Sequence, residues 1–252
     1  MTEGTPLLSI EKLTRQFGAL IAVGGISLSV FREERRAIIG PNGAGKTTLF
    51  NLITGHIEAS QGRIVFEGRP ITGLSPHAVA RRGISRSFQR TNLFPKLDVR
   101  ENLRLAVAAT EAGSYNVLGS GSARLNAQLD RAAQVAEAVG LAERLTMPAA
   151  SLSYGEQRQL EVGVALATQP RLLLLDEPTA GMSPEETDRM TRMLGQLPRR
   201  LTLLIIEHDM DVVSSLADRV SVLHYGEVLT EGTFDQVKVD PRVFEVYLGG
   251  AR

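Results

Sequence analysis

The chain has 252 residues, which suits one large α/β domain, with or without an insertion, and is ample for burying a core. Lys plus Arg and Asp plus Glu each number 28, so the balanced bulk charge advertises no nucleic-acid partner. The absence of cysteine removes disulfides, thiolate metal sites and thiol catalysis, and fits a reducing cytosol.

Residues 1–12 carry Glu3 and Glu11 and lack the basic-then-apolar layout of a secretory signal, so export is not expected. Residues 7–13 and 26–30, with a turn-like Gly24-Gly25 between them, predict antiparallel strands ahead of a first parallel strand at 36–39. Further strands are expected at 63–66 and 84–88. From Asp98 to Ala167 the apolar spacing turns helical, which marks 98–167 as an inserted helical block. Asp98 with Glu101 predicts a capping box for a helix over 99–110, and Ser153 with Glu156 predicts another for a helix ending at Ala167. Between them, the Gly/Ser-rich 113–122 reads as a connection and 123–139 as a helix stopped by Gly140. Strands resume at 172–175, 203–206 and 219–223, giving βαβ alternation around a mainly parallel sheet. The longest apolar stretches, 172–175 and 201–206, fall far below the roughly 20 residues of a membrane-spanning helix.

The strongest chemical signal follows the strand at 36–39. Gly40, Pro41, Asn42, Gly43, Ala44, Gly45, Lys46, Thr47 and Thr48 match the G-x4-G-K-[ST] loop in its required place between strand and helix. Glycines let backbone N–H groups converge on phosphate oxygens, Lys46 neutralises phosphate charge and Thr47 supplies a hydroxyl for Mg²⁺. A second signal is the apolar run Leu172 to Leu175 ending in Asp176 and Glu177. A strand that delivers two carboxylates side by side places Asp176 near a metal and Glu177 where a water would be activated.

Leu152, Ser153, Tyr154, Gly155, Glu156 and Gln157 resemble the signature sequence of ATP-binding cassette (ABC) proteins, at the expected place before the carboxylate strand. Tyr154 replaces the more usual glycine and Glu156 the more usual glutamine. The resemblance runs from about Leu7 to Gly250 and implies an ABC ATPase: a P-loop NTPase core with an N-terminal antiparallel β subdomain and an inserted helical subdomain. On that reading 1–252 is a single nucleotide-binding domain, with 5–97 and 168–250 as core and 98–167 as the helical part. It further implies that Gln89 contacts Mg²⁺ or water, that His208 contacts the γ-phosphate and that Phe17 stacks on adenine. Ser153, Gly155 and Glu156 would meet ATP held by a partner domain. Gly181 to Pro184 stands at the D-loop position, with Ser183 where many members have Asp.

Within the superfamily, Phe88-Gln89, Leu93 to Pro95, Ala180 to Pro184, Glu207 to Met210 and Val246 to Gly249 are most similar to ATPase subunits importing branched-chain amino acids. The implied machine pairs this chain with a sister cassette, hetero- or homodimeric, on transmembrane permease subunits served by a substrate-binding protein. It would sit peripherally on the cytoplasmic face of the membrane and use ATP and Mg²⁺. Apolar Leu93, Phe94 and Leu97, with the helix from Val99, suggest where a permease docks. A urea or short-amide importer, a lipopolysaccharide exporter, whose ATPase has a segment similar to Leu74 to His77, and a cluster-assembly ATPase stand as alternatives.

Overall fold

The computed structural model of the chain describes residues 4–87, 93–111 and 121–248. It opens with two long strands, β1 (Leu8–Phe17) and β2 (Leu20–Val30), paired from Leu8↔Val30 to Phe17↔Leu20. The hairpin therefore turns at Gly18-Ala19, and the expected turn at Gly24-Gly25 is corrected to a bulge inside β2, where the register shifts between Leu13↔Ile26 and Thr14↔Gly24. Glycine inside a strand marks close backbone approach as readily as a turn. Here the Gly24 amide donates to the carbonyl of Gly226 at 2.8 Å, stitching β2 to a distant hairpin.

The chain then enters β3 (Arg35–Ile39), helix α1 (Lys46–Ile53), strands β4 (Gln61–Phe66) and β5 (Arg69–Pro70), helix α2 (Pro76–Arg81) and β6 (Ile84–Arg86). β6 thus ends two residues before the expected Phe88, which lies outside the described residues. The antiparallel sheet has order β2-β1-β4-β5.

Three helices form the next block: α3 (Val99–Glu111), α4 (Gly121–Ala138) and α5 (Tyr154–Ala167). Asp98 accepts from the Glu101 amide at 2.7 Å, while the Glu101 carboxylate turns to Arg104. Gly140 follows α4 at φ +73°. At α5 the capping box is complete. Val99, Leu103, Ala132, Ala136, Leu160 and Val162 bind the block into one core.

The remaining elements are β7 (Leu172–Asp176), α6 (Pro184–Gln196), β8 (Thr202–Ile206), α7 (Met210–Leu216), β9 (Arg219–His224), β10 (Glu227–Gly232), α8 (Phe234–Lys238) and α9 (Pro241–Leu248). The second sheet runs β10-β9-β3-β8-β7-β6, parallel except for β10. Its central strands are buried on both faces, which is why they read as continuous apolar runs. Leu172, Leu174, Leu204 and Ile206 face α1 and the antiparallel sheet, whereas Leu173, Leu175, Leu203 and Ile205 face the helical block, α6 and α7. The carboxyl ends of β3, β7, β8 and β9 consequently open on one edge, where parallel sheets bind ligands.

Candidate functional site

β3 delivers the chain into the 40–48 loop. Gly40 has φ +146° and a Cβ there would lie 2.1 Å from the Leu223 carbonyl oxygen; Gly45 has φ +99° and a Cβ would lie 2.4 Å from that of Ala22. Neither position admits a side chain. The loop is fixed from behind by the Gly226 amide, which donates to the carbonyl of Ala44 at 3.1 Å. Gly45 stands just before α1 at its N-cap position and supplies no side-chain cap, which leaves the first-turn N–H groups of that helix available to an anion. Lys46 is buried, and its Nζ donates to the carbonyls of Gly40 and Pro41 at 2.7 and 2.9 Å. Burial lowers its pKa, and the Glu177 and Asp176 carboxylates oppose that shift. Thr47 is exposed on the first turn, beside half-buried Thr48.

β7 delivers Asp176 and Glu177. Asp176 is 2% exposed; its Oδ2 accepts from Arg86 at 2.5 Å, and its buried Oδ1 has no hydrogen-bond partner. Burial raises the Asp176 pKa, against the Arg86 guanidinium. A buried carboxylate oxygen without a donor is costly, and with the exposed Thr47 hydroxyl on α1 the donor set fits Mg²⁺, which takes one or two protein oxygens and keeps waters and phosphate. Glu177 adopts φ +50°, a left-handed conformation costing a non-glycine residue on the order of 1 kcal/mol and concentrated at functional sites. The kink turns its side chain away from the strand. Glu177 Oε1 lies 2.8 Å from His208 Nε2, which β8 delivers.

The phosphate loop and Glu177 share a cavity of about 370 Å³ with Leu20, Ile21, Ala22 and Tyr225. Phe17 closes β1 nearby in sequence to Leu20, 44% exposed and with the Arg15 guanidinium 4.4 Å from its ring centre. It is not a core residue. Ser153, Gly155 and Glu156 do not join this cavity; they line a separate recess at the start of α5 with Glu186 and Met190. There the Ser153 hydroxyl accepts from the Glu156 amide at 3.2 Å, and Glu186 Oε1 accepts from the Gly155 amide at 3.3 Å. Gln89 lies outside the described residues.

Sequence reasoning missed several contributors. Arg86 bridges Asp176 and Asn51, donating to the Asn51 side-chain oxygen at 2.6 Å; its only signal was a cation at the end of a short strand, β6. Glu207 is buried and accepts from the Thr179 amide and hydroxyl at 3.1 and 2.6 Å and from the His208 amide at 3.1 Å. It ties the turn after Glu177 to the turn carrying His208, and was hidden beside the more conspicuous histidine. Ser183 caps α6 in a complete box with Glu186.

A phosphate loop at the switch edge of a parallel sheet, a strand-end carboxylate pair and a capped signature helix define a P-loop ATPase of the cassette type. The ABC transporter family model matches residues 23–180, and this chain belongs to that family. It is 40% identical over 252 residues to the high-affinity branched-chain amino acid transport ATP-binding protein LivG of Escherichia coli (strain K12), covering 98% of this chain and 99% of the relative. To BraF of Pseudomonas aeruginosa, described in the same terms, it is 39% identical with the same coverage. Among solved structures, an ATP-binding cassette of an ABC transporter in its ADP conformation matches with a TM-score of 0.83 and 31% identity, covering 98% of this chain and 100% of that one.

Proposed function

We propose that this chain is the ATP-hydrolysing subunit of an importer for branched-chain amino acids. The observation that carries the reading is the similarity to LivG and BraF, 40% and 39% identical over 98% of this chain, joined to a phosphate loop and a Glu177–His208 pair opening on one edge. ATP enters with its phosphates over Gly40 to Thr48 and its base toward Phe17. Lys46 leaves its carbonyl partners to neutralise the β/γ-phosphates. Thr47 and Asp176, joined by Gln89 on the family resemblance, would hold Mg²⁺, which when bound would supply charge neutralisation at the phosphates. Glu177 accepts the proton of the attacking water, and His208 holds that carboxylate and reaches the γ-phosphate.

One chain carries both halves of a composite site on separate surfaces, which supports a dimer in which Ser153, Gly155 and Glu156 of each subunit meet ATP on the other. The sister cassette and the permease subunits are the partners. Residues 98–167 serve as the helical subdomain that follows the permease. Among the described residues no helix is long and apolar enough to cross a membrane, so attachment to the cytoplasmic face runs through the permease. A cavity of about 350 Å³ between α2, β6 and α5, lined by Thr54, His77, Val79, Leu93 and Glu161, with Phe94 exposed beside it in sequence, suits that docking.

Reconstitution of the chain with the permeases and binding protein that co-purify with it tests the substrate. Leucine-loaded binding protein is expected to stimulate hydrolysis and drive leucine uptake. Stimulation by urea-loaded protein alone, without leucine uptake, contradicts the proposal.

A further inference from the structure

Tyr154, first residue of α5, stands where a glycine is more usual. Nearly half exposed, it fills no core position, yet its hydroxyl is fully engaged. It donates to the carbonyl of Ala180 at 2.9 Å and accepts from Arg158 Nε and Nη2 at 3.1 and 3.0 Å, which uses its one donor and both acceptor positions. Arg158 Nη1 in turn donates to Glu161 at 2.9 Å.

The Ala180 carbonyl belongs to the turn that closes on the catalytic pair. The Ala180 amide donates to the carbonyl of Glu177 at 3.1 Å. Thr179, its neighbour, is clamped through the amide and hydroxyl to Glu207, which also accepts from the His208 amide, and His208 returns to Glu177 at 2.8 Å. A second tie, from the Gly155 amide to Glu186, joins the same helix end to α6 just beyond that turn. A continuous hydrogen-bonded path therefore runs from α5 to Glu177 and His208 of the same chain. A glycine at 154 would have no group to begin it.

We propose that Tyr154 is a positioning residue that couples the signature end of this chain to its own hydrolytic pair, so that closure of α5 on the partner's nucleotide sets Glu177 and His208 for attack. The inference rests on the dimeric reading above. The Arg158 fork fixes the hydroxyl so that its proton points at Ala180, and charge-assisted bonds of that kind are roughly twice as strong as neutral ones.

The test uses the assembled transporter with the counterpart of Glu177 in the partner cassette replaced by Gln, so that turnover occurs only at this chain's own phosphate loop. That site is completed by the partner's signature helix, and Tyr154 does not touch its ATP. Tyr154→Phe keeps the ring and removes the hydroxyl. We expect kcat to fall about three- to tenfold, the size of one lost hydrogen bond of about 1 kcal/mol, with KM for ATP and Tm unchanged. Arg158→Lys, which keeps a cation for Glu161 but loses the fork, should lower kcat in the same direction, and the double variant should fall no further than Tyr154→Phe alone. An unchanged kcat, additive losses, or a kcat loss matched by a fall in Tm overturns the coupling role. Failure of the dimeric reading shows separately, as ATP-independent sizing of the Glu177→Gln chain.

Discussion

The two helix starts proposed to meet ATP, at α1 and at α5, are built on opposite principles. Gly45 leaves α1 without a side-chain cap, backed by a loop stitched to Gly226 and a buried cation at Lys46. The start of α5 is capped twice over, by Ser153 with Glu156 and by Glu186 on the Gly155 amide. An open, cation-backed helix end binds anions by itself, whereas one already satisfied by its own carboxylates presents a negative surface. The difference supports the proposal that α1 captures ATP in the lone chain and that α5 acts only when a partner brings ATP to it.

The largest expected effect belongs to Glu177→Gln, which keeps size and removes the base. Hydrolysis should drop by roughly 10²–10⁴-fold, on the order of 3–5 kcal/mol of barrier, while ATP still binds through Lys46, Thr47 and Asp176; phosphate release against nucleotide-binding titration measures both. Next comes Lys46→Ala, expected to weaken ATP binding by about 10–100-fold through loss of charge-assisted bonds without loss of fold by circular dichroism. Unchanged affinity with normal turnover would move capture away from α1.

Phe17→Ala should weaken ATP about tenfold, the scale of a lost base-stacking contact, and leave Tm of the nucleotide-free chain in place. A Tm loss with unaltered affinity would return Phe17 to a packing role. The smallest effect concerns Glu186→Gln, which removes a negative charge from the start of α5 while keeping an acceptor for Gly155. ATP-dependent dimerisation should tighten severalfold at low salt, and the gain should shrink as salt screens it. Weaker dimerisation would show that the carboxylate serves the closed state instead of opposing it.

Much of this asymmetry is legible in the amino-acid sequence. The loop at Gly40 to Thr48, the carboxylate pair at 176–177 and the box at Ser153 and Glu156 are contiguous patterns whose residues act through backbone geometry set within a few positions. The helical block is equally plain from its apolar period, and the buried strands from their apolar runs. What stays hidden depends on pairing across sequence distance. Gly24-Gly25 carries a turn's composition, and only the approach of Gly226 makes it a bulge. Arg86 and Glu207 look unremarkable as single letters and Tyr154 shows only as a departure from the usual glycine, and the roles of all three come from partners at Asp176, Thr179 and Ala180. The acid at Glu186 is invisible as a cap on α5 because it lies 31 residues beyond Gly155.

The central claim, that α1 holds ATP alone and α5 grips it only across a dimer, is tested most directly by light scattering of the Glu177→Gln chain mixed with its sister cassette, with and without Mg-ATP. A dimer that appears only with Mg-ATP is expected, and adding Ser153→Arg should abolish it while the monomer still binds ATP. Equal dimerisation by the Ser153→Arg chain, or a dimer indifferent to ATP, would contradict the account.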